Sequence, residues 1–373
     1  SNTDIRWEVS VVWVLCVLAI GSGEETPKDT VEPVEDARSG FDVALSPSIA
    51  VTPQTSLLLG LGTIAYGEDP DLDDPMQSAL FGLAYVTFRR QWGIAASGAL
   101  FFGDDAWLLD GTLNLFDGAS FFFGVGDSPV PVEDRSEFNV RDLFADVALA
   151  RWIFDTLYIG PVVRAQRYRA RDVENDELRA LDGGVEGDQI GAGLRLIWDR
   201  RDDALWPSDG TFLRSSVVFY HDDIGSDFRL TEFEVDGRLF VPLAADWVLG
   251  VNAVMETRRG DVPFFRQTLI GGPNRLRGTF SGRFRDEASW FAQTEIRSPI
   301  FWWALSAAVF AGTGAVATSL TDFSSAEAIV AGGAGLRIAL GDEEDERGAN
   351  LRLDYAVDSD NDQTFYVALG EAF

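Results

Sequence analysis

Residues 229–241 read RLTEFEVDGRLFV. Taken alternately, one face carries Glu232, Glu234, Asp236 and Arg238, and the other Phe233, Val235, Gly237, Leu239 and Val241. A period of two is the signature of a strand with two unlike faces. Four charged side chains on one face cannot point into hydrocarbon, where each would cost ~2–4 kcal/mol near the midplane. A water-soluble sandwich would turn that face outward to solvent. In a membrane barrel it would instead line a polar lumen, with the apolar face against lipid. The same alternation recurs downstream: Arg352, Asp354 and Asp358 stand opposite Leu351, Leu353, Tyr355 and Val357, and Gln189, Arg195 and Asp199 opposite Ile190, Leu194, Leu196 and Trp198.

Working outward from these segments predicts an all-β chain: an antiparallel transmembrane barrel of sixteen strands with no soluble domain. The expected strands are 43–51, 55–66, 77–88, 91–102, 105–117, 141–154, 156–169, 186–200, 210–221, 228–242, 245–259, 287–299, 303–312, 329–341, 348–357 and 363–373. Gly, Asp, Asn and Pro clusters separate them, and the acidic runs at 69–74, 172–177 and 341–346 fall in predicted turns. An even strand number puts both chain ends on one side. If that side is the periplasm, Trp107, Trp152, Trp198, Trp247, Trp302 and Trp303 gather at periplasmic strand ends, as an interfacial girdle requires.

Composition narrows the partners. The chain is 46% apolar, yet no apolar run reaches the ~20 residues that a membrane helix needs. The longest, Val9 to Ile20, followed by Gly21, Ser22 and Gly23, fits the core of a secretory signal over residues 1–23. Residues 24–40 read as a polar, proline-containing disordered linker, and 41–373 as the barrel. A formal net charge of −30 speaks against nucleic acid as a partner. The single cysteine, Cys16, lies within the signal reading, so disulfide chemistry is not expected.

Six motifs then occur in order: DRRDDALWPSDG (Asp199 to Gly210), GGPNRLRGTFSGRFRD (Gly271 to Asp286), QTEIRSPI (Gln293 to Ile300), GGAGLRIAL (Gly332 to Leu340), LRLDYAV (Leu351 to Val357) and FYVALGEAF (Phe365 to Phe373). Together they resemble the barrel of the BamA/TamA-type insertase superfamily, the bacterial surface antigen barrels, over roughly residues 190–373. The second motif is similar to the family's sixth extracellular loop, whose Arg-Gly-aromatic signature folds back into the lumen. The resemblance therefore implies a lumenal loop motif of Arg277, Gly278, Phe280, Arg283, Arg285 and Asp286. It also implies that Arg277 pairs with Glu295 and with an Asp on the thirteenth strand. That Asp is absent, since Phe310, Ala311, Gly312, Thr313 and Gly314 stand where the family has F-x-D-x-G, and Thr279 takes the aromatic position ahead of Phe280. A weaker latch is expected.

Strand parity supplies further lumenal charges: Glu232, Glu234, Asp236, Arg238, Glu295 and Arg297. Phe365, Val367, Leu369 and Phe373 resemble the outward-facing terminal signal by which outer-membrane barrels are recognised for assembly. Pro47 in the first strand cannot donate a ladder hydrogen bond, and Gly370 in the last weakens packing and order, so a weak lateral seam is expected between them. The resemblance implies a protein of the bacterial outer membrane that helps polypeptide or lipid cross or enter that membrane. Its partners would be outer-membrane lipids and lipopolysaccharide, the assembly machinery for its own insertion, and client chains. Relatives carry periplasmic POTRA domains, whereas the linker is too short for one, so a short member of the family is expected. The alternative is a passive pore or structural surface protein, and the position of the long loop at 260–286 discriminates: inside the lumen it blocks conduction. Asp358, Asp360 and Asp362 have calcium-loop spacing but lack the glycine and the distal Glu of an EF-hand. The only histidine, His221, lacks a placed catalytic partner. No enzyme activity, cofactor or metal is expected.

Overall fold

The computed structural model describes residues 41–52, 56–67, 72, 76–340 and 349–373. The signal and linker readings at 1–40 lie outside the described residues. Sixteen antiparallel strands form one sheet in chain order. They are β1 (Phe41–Thr52), β2 (Ser56–Gly67), β3 (Ser78–Thr87), β4 (Trp92–Phe102), β5 (Trp107–Phe122), β6 (Ser136–Phe154), β7 (Leu157–Arg171), β8 (Glu186–Asp199), β9 (Gly210–Tyr220), β10 (Leu230–Pro242), β11 (Val248–Gly260), β14 (Ala288–Arg297), β15 (Leu305–Ala317), β16 (Ile329–Leu340), β17 (Ala349–Asp358) and β18 (Gln363–Leu369). Between β11 and β14 the chain makes a separate two-stranded ribbon, β12 (Thr268–Ile270) and β13 (Phe284–Asp286).

Burial is inverted relative to a soluble sheet. Asp146, Arg195, Glu232, Asn252, Glu295, Arg337 and Asp354 are buried, while Leu61, Ile94, Leu113, Val163, Leu194, Phe219 and Val309 are exposed on the outer face. Charged groups inside and an apolar belt outside are what hydrocarbon selects. Trp107, Trp152, Trp247, Trp302 and Trp303 are exposed at the rim where β1 begins and β18 ends, with Trp198 half-buried beside them. Turns on that rim are short. Asp155 and Thr156 alone join β6 to β7, and Asp155 takes φ 52°, a left-handed conformation that Asp tolerates.

Three features depart from the sequence expectation. β5 and β6 run to Phe122 and back from Ser136, beyond the expected 117 and 141, because Phe122, Phe138 and Val140 pack beneath the opposite loops in a cluster with Tyr168, Val173, Leu178 and Phe264. Leu178 belongs to a short helix, α1 (Asp176–Ala180), capped by the Asn175 side chain. β15 continues to Ala317 rather than 312, its upper half packed against the ribbon. The last strand stops at Leu369 rather than 373. Gly370 is not a packing defect within that strand: at φ 77° it is the residue that turns the chain out of the wall.

Candidate functional site

The loop after β11 enters the lumen instead of covering it from outside. A single turn, Phe264–Arg266, leads into the ribbon, whose tip carries the Arg277-Gly278 step. Gly278 has φ 117°, and a Cβ there would meet Ala331 Cβ at 3.0 Å and the Val357 backbone at 3.1 Å. The tip is therefore pressed against β16 and β17 at a point where only glycine fits. Arg277 is fully buried; its Nη1 donates to Glu295 Oε2 at 2.6 Å and Asp354 Oδ2 at 3.0 Å, and its guanidinium lies 3.6 Å from the Phe310 ring centroid. Arg337 bridges the same two carboxylates at 2.9 and 2.6 Å. The carboxylate missing from β15 is thus replaced by Asp354 of β17, and Phe310 of the altered F-x-D-x-G stretch supplies a cation–π face.

The remaining loop residues divide by partner. Arg275 donates to Glu256 Oε1 at 2.7 Å and Oε2 at 3.1 Å, and Arg266 grips Glu232, which also receives Arg164 at 2.8 Å and Arg258 at 3.0 Å. Arg283 meets the acidic β17–β18 turn: Asp362 at 2.5 Å, Asp360 at 2.7 Å and Asp358 at 3.8 Å. Arg285 has no ion pair among the described residues; it lies 4.1 Å over the Phe264 ring, and burial lowers its guanidinium to about 10. The Asp286 backbone carbonyl accepts from Thr268 within the ribbon. Phe280 is buried between Phe121 and Phe123, at ring distances of 5.8 and 5.2 Å.

Not every parity-assigned charge meets the loop motif. Glu234 faces Arg164 at 3.4 Å, and Asp236 pairs within its own strand with Arg238 at 2.6 Å. Arg297 donates to the Pro207 carbonyl. That carbonyl belongs to the turn 199–210, which folds across the opposite mouth: Asp203 accepts from the Leu205 and Trp206 amides, and Leu205 packs on Ile64 and Ala79 across the lumen. The sequence reading missed Asp354, Arg337, Glu371 and the Phe121–Phe123 run as partners. Asp354 was legible as lumenal, but its link to Arg277 crosses strands.

The terminal segment corrects a second expectation. Phe365 is exposed and Val367 half-buried on the outer face, and the Leu369 side chain is outside the description. Phe373 does not face lipid. Beyond Gly370 the chain turns inward, Glu371 pairs with Arg337 at 3.1 Å, and Phe373 is buried against Phe240, with Gly250 beneath it. A glycine hinge, an ion pair and an aromatic pocket hold the tail inside where a continuous strand was expected. β1 and β18 run side by side, but among the described residues no ladder joins them. Pro47 pairs with Leu61 of β2, so its other neighbour lies across this edge. His221 sits at the outer rim with Asp222 and Asp223, all exposed, and Asp222 is already held by Arg229 at 2.5 Å.

Residues 101–373 match the Omp85 superfamily domain. The chain belongs to the Omp85 superfamily. Its nearly all-β wall and outward apolar belt are those of a bacterial outer-membrane barrel. This Omp85 chain is 27% identical over 158 residues to outer membrane protein assembly factor BamA of Nitratidesulfovibrio vulgaris, a stretch covering 41% of this chain and 20% of that relative. The matched region is thus about a fifth of that relative's length. Two solved structures share the fold. BamA from Haemophilus ducreyi lacking POTRA domains 1–3 superposes with a TM-score of 0.60 at 14% identity, covering 88% of this chain and 70% of that one. CdiB from Escherichia coli gives 0.58 at 13% identity, covering 87% and 62%.

Proposed function

We propose that this Omp85 barrel assists the insertion or translocation of protein or lipid at the outer membrane, through a lateral seam between β1 and β18. The observation that carries this reading is the unladdered edge between two strands that otherwise lie side by side. Every other neighbouring pair in the wall is joined by a backbone ladder, and each ladder bond adds about 0.5–1.5 kcal/mol, so opening costs least at this edge. The infolded loop and the turn 199–210 crowd the lumen from both ends, which works against a passive pore. Client chains, outer-membrane lipid and lipopolysaccharide at the seam, and the assembly machinery that inserts the barrel itself, are the partners this reading names. It assigns no catalytic group.

The test is a cysteine lock in a Cys16→Ser background. A cysteine at Leu45 on β1, combined in turn with one at Phe365 or Val367 on β18, is oxidised across the seam. A control pair at Val163 and Ala192, which are register partners on β7 and β8, is oxidised in parallel. In liposomes, insertion of an unfolded outer-membrane protein should stop with the seam locked, resume on reduction, and be unaffected by the control. Full activity with a locked seam, or bilayer conductance without insertion activity, returns the barrel to the pore reading.

A further inference from the structure

Between the infolded loop and the wall lies a cavity of about 210 Å3 that the latch around Arg277 does not use. Five arginines line it: Arg164, Arg214 and Arg258 from the wall strands β7, β9 and β11, and Arg266 and Arg275 from the loop. Three carboxylates face them, Asp146, Glu234 and Glu256. Glu232 stands just behind and binds three of the arginines. Asp110, shared by Arg195 at 2.6 Å and Arg214 at 3.7 Å, adds one further acid and one further base. Asp142, which faces Arg266 across Gln166, brings the acids level with the arginines. That balance sets the site apart in a chain whose formal net charge is −30.

A buried donor left without an acceptor is costly. Two of the five arginines still have donors to offer. Among the described residues Arg214 makes no hydrogen bond, its one ion pair being the 3.7 Å contact to Asp110. Arg258 donates through Nε to Glu232, while its buried Nη1 has no partner. Guanidinium forks match tetrahedral oxyanions better than they match chloride. Size selects within that class. One water needs ~10–15 Å3 by the same measure, so the cavity holds a small ion with its waters, whereas pockets for larger organic ligands start at ~300 Å3.

We propose that this lumenal cavity binds a phosphate-type oxyanion, which accepts from the free donors of Arg214 and Arg258 on the wall and is drawn to the charges of Arg266 and Arg275 on the infolded loop. The ion would hold the loop in place independently of the Arg277 latch. An oxyanion of this kind can arrive free or as a lipid headgroup; the cavity lies inside the barrel and is too small for acyl chains, which favours the free ion.

The whole chain in zwitterionic detergent is titrated calorimetrically with sodium phosphate at constant ionic strength, against chloride. Saturable binding at one site per chain, competed by sulfate and accompanied by a rise in the temperature of the heat-modified gel shift, is expected. Arg214→Gln should weaken phosphate binding roughly tenfold or more, as loss of a charge-assisted contact implies. Arg167→Gln, at a solvent-exposed arginine, should leave it unchanged. If Arg214→Gln fails to fold, Arg258→Lys, which keeps the charge and loses the fork, serves in its place. Unsaturable binding, an equal loss in Arg167→Gln, or binding of dihexanoylphosphatidic acid with none of inorganic phosphate would overturn the proposal.

Discussion

The β5–β6 hairpin and the β18–β1 edge lie in one wall and are held by different forces. β5 is paired along all 16 of its residues, from Trp107 opposite Arg151 to Phe122 opposite Ser136, and its projecting end is buried by the aromatic cluster around Phe264. β18 has 7 residues laddered to β17 and, among the described residues, none to β1. What holds β18 from inside is side-chain chemistry: Glu371 on Arg337, Tyr366 donating to the Thr279 carbonyl of the loop, and Phe373 in the Phe240 pocket. Backbone ladders are cooperative and hard to open one at a time, whereas a few ion pairs and one aromatic plug can be released by changing a single residue. On the proposed reading, this edge is where the barrel yields.

Four measurements bear on it, beyond the seam lock. The largest effect is expected at the latch. Arg277→Ala or Glu295→Ala leaves the desolvated network they share with Arg337 and Asp354 one charge out of balance, and each should cost up to about 3–5 kcal/mol in heat-modifiable gel mobility. The double variant should be no worse than the worse single one, and strictly additive losses would mean that the two residues act independently. Next, amide exchange in β18 should be about a hundredfold faster than in β5, equivalent to ~2.7 kcal/mol of local stability. Equal protection would erase the distinction between hairpin and edge.

Phe373→Ala should cost about 2 kcal/mol, less than a fixed core site because the tail can readjust. It should also speed exchange in β18 while leaving β5 as it was; a uniform change across the wall would show that the tail stabilises the whole barrel. The smallest effect is expected at Arg285→Met. Replacing a desolvated cation without an ion pair by an apolar chain of similar length should shift stability by within about 1 kcal/mol in either direction, and a larger loss would reveal a partner for Arg285.

Much of the wall was legible in the sequence because side-chain parity is a local property. Glu232 and Phe233 announce opposite faces without knowledge of any neighbour, and the strands follow from repeating that reading. The clustering of Trp107, Trp152, Trp247, Trp302 and Trp303 at one rim came from the same count of reversals. The reach of β5 to Phe122 was not legible. Phe121, Phe122 and Phe123 break the alternation, and what rewards the longer ladder is Phe280 and Phe264, more than a hundred residues away in the chain.

The sequence by itself determined the class of fold, the lumenal face of the strands that carry alternating charges and the presence of a loop arginine that needs a carboxylate, since each depends on residue type and spacing alone. Only the tertiary structure decided which carboxylate. Gly312 leaves the Asp position of β15 empty, and Asp354, 77 residues beyond Arg277, fills the role because the barrel's curvature brings β17 to the loop tip. It also decided the fate of the terminal Phe373. Strand parity carries that side chain outward for as long as the strand continues; the turn at Gly370 and the waiting contacts of Arg337 and Phe240, contributed by strands distant in the chain, end the strand and draw it in.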